Sequence, residues 1–249
     1  MTNFGRGWRP SRLENSSPQL AGRMLELRST LRFRDPGLVA TRSGVSYLTF
    51  GPDRGEFHIP FWGKAVILTW PNLTGYSNTD DELPPIIQAL LLYYLLTADG
   101  TTLTGKWVSF ADLPDGRMYN AAFQGYSGDE IVKAFGFDLP AFGCACLNAG
   151  GKPVEVGSAS FVIQALPNLP MLVTYWLGDE DFPSSCKILF DSSATHYLPI
   201  DGCAIAGSML TKKLRSPQAR SPKSPDFGGN NSTPTSGRKA VGVRIEDGL

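Results

Sequence analysis

A chain of 249 residues, 42% hydrophobic and 18% charged with a formal net charge of zero, fits one large domain or two small ones. The charge is uneven: from Arg215 onward six Lys/Arg face three Asp/Glu, leaving 17 against 20, a net of −3, in the rest. That balance excludes nucleic-acid binding through the core, which would need clustered positive charge on the phosphates. The longest apolar run, residues 86–96, is too short for a membrane span of about 20 residues. The first twenty residues hold no apolar secretion segment. With four cysteines, Cys144, Cys146, Cys186 and Cys203, the expectation is a cytoplasmic protein with reduced thiols.

In chain order, residues 1–18 are too polar to pack and are expected to be disordered. Residues 20–33 carry apolar side chains at helical spacing with alternating charge, an amphipathic helix. Asp35 is placed to cap a short helix with Pro36 in its first turn and Gly44 as its stop. "FHIPFWGKAVILTW" reads as two strands meeting at Gly63, followed by a loop from Pro71 to Asp81. "DDELPPIIQALLLYYLLTADG" is a helix, apolar almost all round and therefore central. Asp81 and Glu82 suit its positive end, and Gly100 its stop.

"GKWVSF" predicts a short strand and "PDG" a turn. Ser127 and Glu130 have capping-box spacing ahead of a helix that Gly136 would stop. "DLPAFGCACLNAGG" suggests another short helix. "SFVIQAL" and "MLVTYWL" flank the turn "PNLP", and "CKILF" follows an acidic loop, so the three predict an antiparallel meander. Asp201 would cap a last helix over residues 202–214. From residue 215 the Ser-Pro pairs, Gly and Asn predict a disordered tail. The fold class is α+β: a mainly antiparallel sheet packed against the long apolar helix and a C-terminal helix. A single domain would span residues 19–214, between disordered ends (1–18 and 215–249).

"FRDPGLVATRSGVSY", "LLLYYLLTADGTTLTGKWVSFADLPDGRMY" and "ALPNLPMLVTYWLGDEDFPSSCKILFDSSATHYLP" resemble the bacterial and archaeal family catalogued as domain of unknown function 3786, over about residues 20–214. The resemblance implies no established activity. It implies a setting in anaerobic redox or corrinoid metabolism, because some members carry an added iron–sulfur segment. This chain has no cysteine before Cys144. Tyr93 or Tyr94 stands where a histidine is usual, and Asp201 is the nearest acid to the one expected before the last helix.

Most of the candidate chemistry lies in residues 176–199. Asp179, Glu180, Asp181 and Asp191 offer oxygen ligands, and His196 offers nitrogen. If "MLVTYWL" and "CKILF" pair, however, five strand residues place Asp191 roughly 17 Å from the loop acids. No shared metal ion is therefore expected, and no cofactor is assigned. Cys144 and Cys146 would point apart on a helix, which favours buried apolar thiols. His58 and His196 are the only histidines, and no nucleophile elbow, phosphate loop or dinucleotide fingerprint accompanies them.

Trp62, Trp70, Trp107 and Trp176 lie on or beside strands, where core packing is the plainer role. The candidate binding residues are Trp107, Trp176, Asp179, Glu180, Asp181, Phe182 and Asp191, with Phe182 as an apolar anchor beside carboxylates. The expected function is an accessory or ligand-binding protein with an unidentified protein or small-molecule partner. The alternative is a metal- or carboxylate-dependent enzyme using Asp179, Glu180, Asp191 or His196. A third reading is a structural partner tethered through its tail to an acidic surface.

Overall fold

The computed structural model describes residues 18–220 and 244–245. The expectations for residues 1–17 and for most of the tail lie outside the described residues. Helix α1 (Pro18–Arg32) buries the stripe Met24, Leu27 and Leu31, the spacing of one helical face. In α2 (Pro36–Ser43), Asp35 accepts from the Leu38 amide at 2.7 Å and Gly44 ends the helix at φ 69°. The cap, the proline and the left-handed stop all fall where the sequence put them.

Four strands follow: β1 (Ser46–Gly51), β2 (Arg54–Phe61), β3 (Lys64–Trp70) and β4 (Gly75–Ser77). They form one antiparallel sheet in sequence order. The β2–β3 hairpin turns at Trp62–Gly63, both with positive φ. Helix α3 (Pro85–Thr97) buries seven side chains. No acid occupies its first turn and it ends at Ala98, ahead of Gly100. Glu82 instead accepts from the Gln88 amide at 2.9 Å.

The second sheet has six strands in the order β10-β5-β9-β8-β7-β6. They are β5 (Lys106–Ser109), β6 (Lys152–Val154), β7 (Ala159–Leu166), β8 (Leu169–Trp176), β9 (Ser185–Asp191) and β10 (Arg244–Ile245). The meander β7–β8–β9 is antiparallel as expected. Strand β5 is inserted on the far side of β9, and β10 pairs with β5 in parallel. The architecture is thus α+β with two sheets rather than one. They abut where the Trp62 amide donates to the Ala165 carbonyl at 2.9 Å.

Helices α4 (Asn120–Tyr126), α5 (Gly128–Phe135), α6 (Leu139–Asn148), α7 (Ile200–Arg215) and α8 (Pro217–Arg220) complete the chain order. Side chains of both sheets and of α3 and α7 share one core cluster. Two expected caps are corrected. Ser127 precedes α5, but its hydroxyl donates to the Phe123 carbonyl and caps nothing. Pro199, not Asp201, is the N-cap of α7, because the helix starts at Ile200 and takes Asp201 into its first turn. Ordered structure also continues beyond residue 214. Ala219 is buried, and its carbonyl accepts from Asn148 at 2.8 Å.

Tyr94 joins three segments that are distant in sequence. Its hydroxyl donates to the Ser43 carbonyl at 2.6 Å and accepts from the Asn168 amide at 3.0 Å. Its ring stacks on Tyr197 at 5.9 Å. Burial pushes the phenol pKa up, so it stays a neutral donor. Tyr94→Phe removes the partner of the buried Ser43 carbonyl and of the half-buried Asn168 amide and should cost about 2 kcal/mol. Thermal denaturation should show Tm lower by roughly 4–8 °C, with unchanged secondary structure by circular dichroism.

Candidate functional site

Strands β8 and β9 pair from Met171↔Phe190 to Trp176↔Ser185, so residues 177–184 close the hairpin. The Asp179 carboxylate accepts from the Asp181 amide at 3.0 Å and the Phe182 amide at 2.8 Å. The Asp179 amide in turn donates to the Phe182 carbonyl at 2.9 Å. A Cβ on Gly178 would come within 2.5 Å of the Ser184 amide nitrogen, so only glycine permits this closure. The Gly178 amide also donates to the Ser184 hydroxyl at 2.8 Å. The loop backbone is therefore held by its own bonds.

At this tip Phe182 is 70% exposed, and Glu180 and Asp181 face solvent. Trp176 is half-buried at the base of the tip, with the Lys187 ammonium 6.0 Å from its ring centroid.

Asp191 lies at the other end of β9, about 20 Å of strand away, and opposite Trp107 of β5. It is buried, yet five donors converge on its carboxylate. One oxygen accepts from the Thr104 amide (3.1 Å) and hydroxyl (2.9 Å) and from the Ser193 amide (2.9 Å) and hydroxyl (2.6 Å). The other accepts from the Gly105 amide at 2.7 Å. Burial raises the pKa of this carboxyl, but the bonds from Ser193 and Thr104 lower it by more, and the net direction is down. With five protein donors on its carboxylate, Asp191 joins residues 104–105 to the end of β9.

The candidate residues thus divide into two places. Trp176, Asp179, Glu180, Asp181 and Phe182 gather at the tip, while Trp107 and Asp191 lie at the opposite end of β9 with Trp107 nearly buried. His196 belongs to neither. Its Nδ1 is 2.7 Å from the Asp99 carboxylate and 3.2 Å from the Thr101 hydroxyl. That contact, with the Thr101 bonds, holds the Asp99 carboxyl at about 2. Tyr197 donates to the Thr101 carbonyl. The four residues of the enzyme reading, Asp179, Glu180, Asp191 and His196, do not converge.

His58 lies 3.3 Å from Glu56 on β2. Cys146, Cys186 and Cys203 are buried, and burial pushes their thiols up, Cys203 to about 12; such thiols are poor ligands and nucleophiles at neutral pH. Among the described residues, no three His, Cys, Asp or Glu side chains are grouped so as to hold a metal ion, and no helix is long and apolar enough to cross a membrane.

A groove of about 500 Å³ opens between the β2–β3 turn and the loop before α3, lined by Trp62, Lys64, Thr79, Glu82 and Leu83 among others. Its wall is braced by Gln88. That buried amide accepts from Arg28 at 2.8 Å and the Gly75 amide at 3.2 Å, and donates to Glu82 at 2.9 Å and the Leu83 carbonyl at 2.7 Å.

The profile of a family described as a domain of unknown function (DUF3786) matches residues 35–213. The chain belongs to this family. The match takes in α2 through most of α7, and with them the hairpin tip, the Asp191 junction and all strands but β10. No curated protein matches the chain, and no solved structure does.

Sequence reasoning missed Asp99, Thr101, Thr104 and Gln88. The run "DGTTLTG" carried a signal, since polar residues crowded before a strand need hydrogen-bond partners. A lone glutamine in an apolar helix carried another.

Asp191→Asn keeps the shape but removes the anion and points an NH2 at donors. It should cost about 2–3 kcal/mol, a loss of roughly 5–10 °C in Tm. Because the folded-state pKa lies below the ordinary 3.8, the stabilisation by the carboxylate is complete above about pH 4 and is lost as pH falls through the lowered value. Denaturation of the wild type and the variant across pH 7 to 2 should therefore show their stabilities converging at the acid end.

Proposed function

We propose that this protein acts by binding, as an accessory protein that presents the β8–β9 tip to a partner with a basic surface. The observation that carries this reading is Phe182: a large aromatic, 70% exposed, on a loop fixed by Asp179 and Gly178. A fixed loop loses little conformational entropy on association, and an exposed aromatic is a typical interface anchor. Glu180 and Asp181 beside it keep their hydration in the free protein and would steer a cationic partner, with an effect screened by salt. Trp176 and Lys187 form the base of the same surface. In this reading Asp191 and Trp107 support the fold and do not touch the partner.

A small-molecule ligand is a second reading, and the groove favours it. Its volume falls within the range of ligand sites. Trp62 at its rim has a φ of 51°, a conformation unfavourable for a bulky residue. The redox or corrinoid setting implied by family resemblance rests on no residue described above.

The test is affinity capture from an extract of the source cell with the wild type, Phe182→Ala, and a triple variant with Asn or Gln at 179–181. The binding reading expects a recurrent partner whose affinity falls about 10–30-fold in Phe182→Ala. Glu180→Gln with Asp181→Asn should weaken the salt dependence while Tm stays within about 1 °C. The triple variant removes all three charges while Asp179→Asn keeps a side-chain oxygen that can still accept from the loop amides. Equal capture by all variants contradicts the reading.

A further inference from the structure

We infer that the groove beside Trp62 is a site for a small zwitterion, a free amino acid or dipeptide whose ammonium meets Asp81 and Glu82 while its carboxylate meets Lys64. The inference rests on the small-molecule reading of the groove and is independent of the β8–β9 tip.

Two turns at one end of the first sheet build the site. Val66 of β3 pairs with Ser77 of β4. On one side of that pair lies the Trp62–Gly63 turn, which leads into β3 at Lys64. On the other the chain reverses after Ser77, whose amide donates to the Asp81 carbonyl at 2.8 Å, and Glu82 bridges back to Tyr76. The two walls of the groove therefore carry opposite charge, Lys64 on the first and Asp81 and Glu82 on the second, and Lys213 of α7 contributes another ammonium to the lining.

The acidic wall is set before a ligand arrives. The Ser77 hydroxyl oxygen accepts from the Thr79 and Asp81 amides at 3.2 and 3.3 Å. The Thr79 hydroxyl donates to Asp81 at 2.7 Å, so the Ser77 proton is the one shared with Thr79 at 2.8 Å. Glu82 is held by the Gln88 amide at 2.9 Å. Each acid thus engages one oxygen, and the second oxygen of each has no hydrogen-bond partner among the described residues. Across the groove, the Lys64 ammonium makes neither a hydrogen bond nor an ion pair among those residues.

Opposite charges that face each other across open space without closing on one another leave room for a ligand bearing both. A cation alone is drawn to one wall and repelled by the other, and an anion alone likewise. Trp62, Val66 and Leu83 give the ligand's carbon frame an apolar lining, and the indole can also take an ammonium over its face. Trp62 occupies a turn position with positive φ that Asn or Gly fits better, so the turn itself does not call for an indole. A volume of about 500 Å³ suits a molecule of this size rather than a folded partner.

The test follows the Trp62 indole N–H resonance of the isotope-labelled full chain, assigned with Trp62→Phe. The probes are the free amino acids and dipeptides with apolar side chains, each also in an N-acetyl form without the ammonium and a C-terminal amide form without the carboxylate. At least one zwitterion should shift the resonance saturably, with affinity falling about tenfold or more when either of its charges is blocked. Lys64→Gln, which breaks no side-chain bond among the described residues, should weaken the zwitterion by a similar factor, and Phe182→Ala should bind it as the wild type does. Single-charge forms that bind as tightly as the parent zwitterion, or binding untouched by Lys64→Gln, would overturn the inference and leave the groove a site for another class of ligand. A Trp62 resonance that no probe moves would overturn it together with the small-molecule reading.

Discussion

The carboxylate of Asp191 is the contact on which the arrangement of the second sheet depends. A buried anion is tolerated only where donors replace its water, and here five of them do so. Three are backbone amides from two segments nearly ninety residues apart in sequence. The result is that the chain after α3 must pass the C-terminal end of β9, and β5 is laid down beside β9 rather than beside a sequence neighbour. With β9 fixed at that end, its pairing with β8 sets where the other end emerges. The exposed tip and the buried junction are thus two ends of one strand, with the chemistry at one end closed so that the geometry at the other is defined.

This division separates acids that look alike in the sequence. Asp191 is buried and accepts from five donors of the protein. Asp179 spends its carboxylate on the backbone of its own loop. Glu180 and Asp181 are left facing water. Only the last two, with Phe182, are free to meet another molecule, so the surface offers one aromatic and two charges on a fixed support. The Asp99–His196 pair is solvent-exposed, and it links residues 99–101 to the turn that leads into α7.

Much of the fold was legible because local chemistry and burial agreed. The Asp35 cap with Gly44, the Trp62–Gly63 hairpin, the apolar α3 and the β7–β8–β9 meander each carried a pattern with one physical meaning. Strand β1 was not legible, because nearly all of its residues are exposed and no alternation marks it. Strand β4, three residues long, is too short for any pattern. The caps at Ser127 and Asp201 failed because the right residue type stood at the right spacing while the helix began elsewhere or the hydroxyl found a nearer carbonyl. The separation of Asp191 from the loop acids followed from strand geometry alone. Its role did not, because the donors at Thr104 and Gly105 are set by a pairing between distant strands that no local pattern reveals.

The central claim, that the tip meets the partner while the Asp191 end only supports it, is tested most directly by hydroxyl-radical footprinting of the protein free and in complex with its captured partner. The account predicts that Phe182 and Trp176 oxidise readily in the free protein and are protected in the complex, with residues 99–105 and 191–197 unchanged. Protection confined to Trp62 and the loop before α3, with Phe182 oxidised equally in both states, would contradict it and move the binding surface to the groove.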